Sequence, residues 1–475
     1  MTTLPVVVVG AGPVGLAAAA HLLERGLEPL VLEAGDGPGA AVASWGHVRL
    51  FSPWRYDVDT AAARMLAPTG WTAPDPDVLP LGAELVRDYL APLAATPGLR
   101  DRIRFGTRVT AVAREGADRT RSVGRDRRPY LVRSVDAAGV TRDVLARAVI
   151  DASGTFGQPN PVGVSGLPAV GETDATAYLT GPLPDVLGAD RARFAGRHTL
   201  VVGMGHSAAN TLLSLTELAK ADPGTRITWA IRGGSAVRLY GGGEADELPA
   251  RGLLGVRLRE AVEAGRLDLV TRVVVDRLVP DGDVVRVVGA GRRDQADGAL
   301  DLAVHAIVNA TGFRPDLGML REVRLDLDPV VEAPARLAPL IDPNLHSCGT
   351  VPPHGESVLA HPDEGFYLAG MKSYGRAPTF LLATGYEQVR SIAAAMAGDH
   401  VAADAVELQL PETGVCSSDL ALASDGLAAG GCCGTPAGPQ LVELGVGAPG
   451  VPVGAGAKPG FATGVLHGRS GDPLA

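Results

Sequence analysis

Two glycine-rich turns in the sequence have the spacing of phosphate-binding turns. One is Gly10-Ala-Gly12-Pro-Val-Gly15, and the other is Gly203-Met-Gly205-His-Ser-Ala208. The first glycine of such a turn permits a tight bend, the second lets the backbone approach a pyrophosphate, and the free N–H groups of the next helix favour negative charge. We therefore predict one dinucleotide at Gly10, Gly12, Pro13 and Gly15, and another at Gly203 and Gly205.

The residue that ends the second strand of each unit differs in charge. Glu33 follows Gly15 by 18 positions, where a carboxylate binds an adenosine ribose. The matching position in the second unit holds Arg232, which could pair with a 2′-phosphate that a carboxylate would repel. We therefore predict NADPH rather than NADH as the second nucleotide. A solvated surface charge is the alternative for Arg232, and helix capping is the alternative for His206 and Ser207, which we also assign to this nucleotide.

The elements around the two turns indicate one fold used twice. The first turn lies between the β-branched run Val6–Val9 and an Ala/Leu-rich helix, and a second strand, Pro29–Leu32, follows. The same order recurs between residues 199 and 231. The predicted fold class is α/β, with two Rossmann-type domains that each have a three-layer ββα arrangement.

Each unit closes on a related tripeptide, Ala152-Ser153-Gly154 or Ala310-Thr311-Gly312, and these positions suggest how the units are nested. Residues 1–157 and 310–402 are predicted to form one discontinuous domain, with a second domain, residues 162–309, inserted in it. We assign Ser153 and Gly154 to the first dinucleotide and Thr311 and Gly312 to the second.

The segment 405–475 has the composition of a flexible tail, with 15 glycines and 7 prolines. It also contains Cys416, Cys432 and Cys433. Three thiolates suit a soft metal ion or As(III), which takes three sulfur ligands. Redox thiols that exchange electrons with the rest of the protein and incidental cysteines are the alternatives. Cys348 is either a buried structural thiol or a substrate contact.

Charge and cysteine content exclude several classes of protein. The net charge of −10 argues against a nucleic-acid partner. Four cysteines cannot form a disulfide framework, so a reducing, cytoplasmic location fits better. The apolar stretch at residues 4–23 is interrupted by the first glycine turn, so we expect no membrane partner. Whether the chain forms a homodimer is left open.

Together with Gly365-Phe-Tyr-Leu-Ala-Gly370, these motifs resemble those of two-dinucleotide-binding-domain flavoproteins, which include flavin-containing monooxygenases and thioredoxin reductase-like enzymes. The resemblance covers residues 4–402. It implies FAD at the first turn, NADPH at the second, and a hydride passed from the nicotinamide to the flavin. Many members have an aspartate soon after the last glycine, where this chain has Met371 and Lys372, so Gly370 and Lys372 are assigned to FAD with the ribityl contacts open.

The side chains expected near the flavin come from two segments rich in aromatic residues, 45–56 and 366–386. A planar isoalloxazine needs flat apolar walls, although core packing is the other interpretation of these aromatics. A cation at Lys372 could stabilise a reduced flavin or bind a phosphate, and a surface role is its alternative. No catalytic residue is assigned; the flavin-proximal candidates are Lys372, Trp45, Ser52 and Tyr374, of which Trp45 is also assigned to FAD binding.

The predicted activity is that of an NADPH-dependent FAD oxidoreductase, and in particular a monooxygenase that acts on a small molecule with O₂. No Cys-x-x-Cys occurs, and the Baeyer–Villiger fingerprint is incomplete at Phe194-Ala-Gly196-Arg-His198. Residues 365–392 and the tail also resemble bacterial arsenic-resistance flavoproteins, which implies a trivalent arsenical as a candidate substrate. The alternatives are a reductase of a disulfide, quinone or metalloid, and, from another class, a thiol-based metalloid binder or redox sensor.

Overall fold

A parallel sheet surrounds the first glycine turn. The computed structural model describes residues 4–240, 249–293, 296–342, 353–378 and 380–408. The strand order in this sheet is β15 (Phe366–Leu368), β7 (Ala148–Asp151), β1 (Val6–Val9), β2 (Pro29–Leu32), β3 (Ile103–Arg104). All four strand pairs are parallel, so the carboxyl ends of β1, β7 and β15 lie at one edge.

A second, mixed sheet surrounds the second glycine turn. Its order is β13 (Ala296–Val304), β12 (Val284–Arg293), β11 (Asp268–Asp281), β10 (Arg226–Ala230), β9 (His198–Val202), β14 (Ala306–Asn309), β8 (Leu179–Thr180). The strands from β11 to β8 pair in parallel, whereas β11, β12 and β13 pair antiparallel. The first sheet therefore takes strands from both sides of the segment that builds the second.

A small antiparallel sheet and the helices complete the described fold. The sheet contains β4 (Thr107–Arg114), β5 (Tyr130–Asp136) and β6 (Thr141–Ala146). The helices are α1 (Pro13–Glu24), α2 (Ala40–Ala43), α3 (Trp54–Asp57), α4 (Thr60–Leu66), α5 (Gly82–Leu85), α6 (Ala91–Ala94), α7 (Arg191–Phe194), α8 (His206–Ala221), α9 (Val237–Tyr240), α10 (Pro249–Glu263), α11 (Ala338–Ile341), α12 (Glu356–Leu359), α13 (Leu382–Met396) and α14 (His400–Asp404). No helix among the described residues combines the length and hydrophobicity that crossing a membrane requires.

The elements that carry the glycine turns are held by burial. All four residues of β1 are buried, as is every residue of α1 from Val14 to Leu22, because the helix lies between the first sheet and α13. A strand buried on both faces can be apolar throughout, as Val6–Val9 is. The α/β class is therefore confirmed, while the domain boundaries 1–157 with 310–402, and 162–309, stay a prediction. Most of the predicted tail, residues 409–475, lies outside the described residues.

Candidate functional site

The first glycine turn leaves open space where a phosphate is expected. Gly10 has φ of +99°, and a Cβ atom there would lie 2.9 Å from the carbonyl oxygen of Ala152, so this position requires glycine. A Cβ atom on Gly15 would lie 2.0 Å from the Gly10 carbonyl oxygen. No atom of a non-neighbouring residue lies within 4 Å of the Cβ position of Gly12, the residue before Pro13, with which α1 begins. The turn thus fits a pyrophosphate that approaches the backbone at Gly12.

Glu33 ties this turn to the end of β2. Its Oε2 atom accepts a hydrogen bond of 2.6 Å from the Ala11 N–H, and its Oε1 atom accepts one of 2.7 Å from the Gly35 N–H. A carboxylate offers about four lone-pair sites, so both oxygens keep capacity for ribose hydroxyls. Glu33 therefore shapes the turn and remains able to bind a ribose beside it.

A buried ion pair lies beneath the same turn. The Lys372 Nζ atom is 2.7 Å from Asp151 Oδ2 and donates a hydrogen bond of 3.0 Å to Ser153 Oγ. Both charged side chains are 0% exposed, so the surface alternative for Lys372 is wrong. A side chain that contacts a bound cofactor must present some surface to it, and Lys372 presents none. It lies below Ser153, which is exposed, and its charge is matched by Asp151.

Asp151 is a site residue that the sequence reasoning missed. Its Oδ1 atom accepts hydrogen bonds from the Ser153 N–H at 3.1 Å and from Ser153 Oγ at 2.6 Å, so it shapes the tripeptide next to Gly10. A signal was available, since Asp151 is the one charged residue of the otherwise apolar strand β7. Gly154 follows this cluster, and Gly370 packs against Val14, so both lie at the edge that the first turn occupies.

The remaining flavin-proximal candidates are partly core residues. Tyr374 is 1% exposed and packs between the rings of His354 and Phe380, with centroids 5.8 and 5.1 Å away. Burial raises the pKa of Tyr374 above its usual value. Trp45 is half-buried, with its ring against Gly82. Tyr374 is therefore a core residue in this structure and does not form a wall that faces a ligand.

Ser52 belongs to a buried pair that includes another missed residue, Asp57. The Ser52 hydroxyl donates a hydrogen bond of 2.8 Å to Asp57 Oδ1, and Asp57 is 0% exposed. Burial raises the pKa of Asp57 to about 7, although the Ser52 hydrogen bond opposes this shift. The Tyr386 hydroxyl donates a hydrogen bond of 2.7 Å to the backbone carbonyl oxygen of Asp57. A carboxyl group that titrates near neutrality can hold or release a proton under ordinary conditions.

A cavity of about 590 Å³ extends from the second glycine turn to the segment that follows Gly370. It brings together five residues assigned to the second nucleotide: Gly203, Gly205, Arg232, Thr311 and Gly312. Its lining also includes Met371 and residues 375–378. No atom of a non-neighbouring residue lies within 4 Å of the Cβ position of Gly205, the N-cap residue of α8. The cavity thus joins the second phosphate turn to the region of the first.

Two predicted residues of the second site lie outside this lining. His206 and Ser207, the first residues of α8, are half-buried and are not among the described lining residues. The His206 ring lies 5.2 Å from the ring of Phe51, which precedes Ser52. His206 therefore links α8 to the loop of the Ser52–Asp57 pair.

The cysteine predictions fall on residues that the structure does not describe. Cys416, Cys432 and Cys433, assigned as As(III) or soft-metal ligands, lie beyond residue 408, and Cys348 lies between residues 342 and 353. Among the described residues, no three His, Cys, Asp or Glu side chains come together as a metal site.

Comparison with solved structures identifies the fold. The chain is similar to bacillithiol disulfide reductase from Bacillus cereus, with a TM-score of 0.57 and 18% identity over 84% of this chain and 99% of that one. It is also similar to a cadaverine monooxygenase from Erwinia amylovora solved with FAD (TM-score 0.58, 14% identity, 87% and 99% covered). An ornithine N-hydroxylase from Kutzneria sp. 744, solved with reduced FAD, NADP⁺ and L-ornithine, gives a TM-score of 0.54 and 19% identity, with 84% and 98% covered.

Sequence comparison identifies the family. No curated protein matches the chain significantly. The profile of a family described as pyridine nucleotide-disulphide oxidoreductase matches residues 7–344, which include both glycine turns and Arg232. The predicted enzyme class, an oxidoreductase, is thereby confirmed. The chain belongs to the pyridine nucleotide-disulphide oxidoreductase family.

Proposed function

We propose that the protein is an FAD- and NADPH-dependent monooxygenase of a small molecule. The observation that carries this proposal is the cavity that joins the second glycine turn to the segment after Gly370. FAD binds at the first turn, where the space at Gly12 admits a pyrophosphate and Glu33 can accept ribose hydroxyls. NADPH binds in the cavity, with its pyrophosphate at Gly205 and the N-terminus of α8.

Arg232 supports the choice of NADPH over NADH. It is exposed on the cavity wall, and it forms no ion pair with any residue that the structure describes. A guanidinium group with free donors suits a 2′-phosphate, whereas a carboxylate at this position would repel one. Arg232 therefore gives the second site the opposite preference to that of Glu33 in the first.

The protein's part in catalysis is to bind, orient and exclude water. FAD, when bound, supplies the redox chemistry, and the cavity positions the nicotinamide for hydride transfer. The described lining is largely apolar, with Val162, Val202, Val273, Val275 and Phe313 among its side chains. Such a lining keeps water away from the reacting groups, which an oxygenation needs if reducing equivalents are not to be lost to solvent.

A reductase is the second candidate. The family includes disulfide reductases by its description, and the sequence has an adjacent pair, Cys432 and Cys433. Against it, the chain has no Cys-x-x-Cys, and no described residue is a cysteine. A trivalent arsenical stays a candidate substrate of the monooxygenase through the sequence resemblance alone.

Anaerobic reduction followed by mixing with O₂ tests the proposal. The purified protein should be yellow, and NADPH should bleach it faster than NADH does. On mixing with O₂, a transient spectrum distinct from those of oxidised and reduced flavin supports a monooxygenase. A direct return to the oxidised spectrum supports the reductase, and a colourless protein that NADPH leaves unchanged contradicts both.

A further inference from the structure

The cavity has an unusual charge balance for this acidic protein. The chain carries a net charge of −10, yet none of the cavity's described lining residues is acidic. Two of them, Arg232 and Arg376, are cationic. A concave site lined by one sign of charge attracts molecules of the other sign. The cavity is therefore built for anions, and it has one more arginine than the 2′-phosphate requires.

The Arg376 side chain is exposed on the cavity wall. Arg64 and Arg133, which are also exposed, each form an ion pair with a carboxylate, and Arg376 does not do so with any described residue. Arg376 forms no ion pair or side-chain hydrogen bond with any residue in the described ranges, even though a Cβ atom on its neighbour Gly375 would lie 2.6 Å from the carbonyl carbon of Glu332. The guanidinium group has five N–H donors in a planar fork that suits a carboxylate. These donors remain for a bound molecule.

The backbone that carries Arg376 is fixed. Gly375 has φ of +59°, and a Cβ atom there would lie 2.1 Å from the Val331 carbonyl oxygen, so the turn requires glycine. The Arg376 N–H donates a hydrogen bond of 2.7 Å to that same oxygen. A rigid backbone limits where the guanidinium group can reach, which gives specificity as well as attraction.

Arg376 belongs to the first dinucleotide's side of the cavity. Its segment continues from Gly370, whose Cβ position lies 3.2 Å from the Val14 side chain in α1. Arg232, by contrast, lies two residues after Ala230, the last residue of β10 in the second sheet. The nucleotide's phosphates already have the second glycine turn, the N-terminus of α8 and Arg232. An anion at Arg376 is therefore most readily a group of a different molecule.

We propose that Arg376 binds the carboxylate of the substrate, so that the molecule oxidised in this cavity is a small organic acid. This inference rests on the proposed function, because it places the substrate beside the flavin that NADPH reduces. Arg232 and Arg376 then divide the recognition: the first distinguishes NADPH from NADH, and the second distinguishes acids from neutral molecules of the same shape.

Matched acids and amides test the assignment. The FAD-loaded full chain is titrated with butyrate and benzoate, and with butyramide and benzamide, while the flavin absorption is recorded. We expect the acids to perturb the spectrum and Arg376→Ala to weaken their binding about 10- to 150-fold, the range for a charge-assisted hydrogen bond. Binding of NADP⁺ should change less than about twofold. Arg133→Ala, which removes an arginine of the small antiparallel sheet, should change neither.

Three results would overturn the proposal. The first is that the acids leave the wild-type flavin spectrum unchanged, and the second is that the amides bind as tightly as the acids. The third is that Arg376→Ala weakens NADP⁺ binding as much as acid binding, which would assign Arg376 to the nucleotide. Flavin content and bleaching by NADPH, measured on the same samples, test the proposed function separately. A protein that is yellow and bleached by NADPH but indifferent to acids retains that function and loses only this inference.

Discussion

The two glycine turns share one backbone plan and differ in how their charged residues are held. At the first turn, Glu33 accepts hydrogen bonds from two backbone N–H groups, and the Lys372–Asp151 pair is buried beneath. At the second turn, Arg232 is exposed and has no ion pair among the described residues. The first site is held in its binding shape by the protein's own interactions, whereas the second keeps its charge free for a ligand.

This difference suits a tightly held cofactor at one site and an exchangeable one at the other. Interactions that the protein makes before binding lower the free-energy cost of ordering the site when the ligand binds, so a preorganised site binds tightly. A solvated arginine adds affinity without fixing the site in advance. Changes at the first turn should therefore affect cofactor content and folding stability, and changes at the second should affect nucleotide affinity.

Replacing the middle glycine of each turn should separate the two sites most sharply. Gly12 has φ of −74° and Gly205 has φ of −95°, and at neither position would an added Cβ atom meet an atom of a non-neighbouring residue within 4 Å. The first atom of an added side chain therefore has room in both folded chains, in the space where we expect the pyrophosphate. We expect Gly12→Val to purify with less than about a tenth of the flavin of the wild type, because the pyrophosphate cannot approach.

Gly205→Val is the matched control for that variant. It should keep its flavin and lose most of its reduction by NADPH, measured as flavin absorbance under anaerobic conditions. Full flavin in Gly12→Val, with circular dichroism unchanged, would show that the first turn does not hold FAD.

Breaking the buried Lys372–Asp151 ion pair should lower the free energy of unfolding. Lys372→Met leaves Asp151 buried without its cation, which costs about 3–5 kcal/mol of unfolding free energy. The double variant Lys372→Met/Asp151→Leu should recover most of this loss, because it removes both charges. Lys220→Met is the control, since Lys220 pairs with Glu217 at an exposed position and should change stability by less than about 1 kcal/mol. Urea denaturation measures all three, and equal stability of both lysine variants would contradict the pairing.

Removing the Arg232 side chain should lower the affinity for NADPH. Removing one charge-assisted pair with a 2′-phosphate costs about 1.5–3 kcal/mol, or about 10- to 150-fold. Arg232→Ala should raise the Kd for NADPH by this factor and leave the Kd for NADH nearly unchanged, as measured from the rate of anaerobic flavin reduction at a series of nucleotide concentrations. Equal losses with both nucleotides would show that Arg232 does not contact the 2′-phosphate.

What the sequence predicted follows from local rules. The turns, the helices after them, Glu33 and Arg232 depend on spacing within one strand–turn–helix unit, and the structure has those elements within a residue or two of the predicted ends. Gly203 and Gly312 are far apart in the sequence and line the same cavity. The sequence could still predict this, because both residues follow parallel strands that end at one edge of the sheet. These features could be predicted from the sequence without knowing how distant segments pack.

What the sequence did not predict depends on such packing. Lys372 and Asp151 are 221 positions apart, and only the pairing of β15 with β7 brings them together. Asp57 is polar in a segment of aromatic residues, and nothing local shows that it is buried. Arg376 is one of many arginines, and nothing local in the sequence shows that it lies on the cavity wall without a carboxylate partner among the described residues.

Asp57 offers the smallest but most specific test, because its carboxyl group titrates near neutrality in the folded state. Its pKa is raised from 3.8 to about 7 by burial, so the folded chain holds a proton that the unfolded chain releases above about pH 4. The stability that this proton contributes is full at low pH and is lost as pH rises through 7. Between pH 6 and 8 the wild type should lose about 1–2 kcal/mol more than Asp57→Asn, whose amide cannot titrate. Ser52→Ala should move the midpoint of this loss to higher pH, because the Ser52 hydrogen bond lowers the Asp57 pKa. Urea denaturation across the pH series measures both, and parallel pH profiles for the wild type and Asp57→Asn would show that Asp57 is ionised throughout.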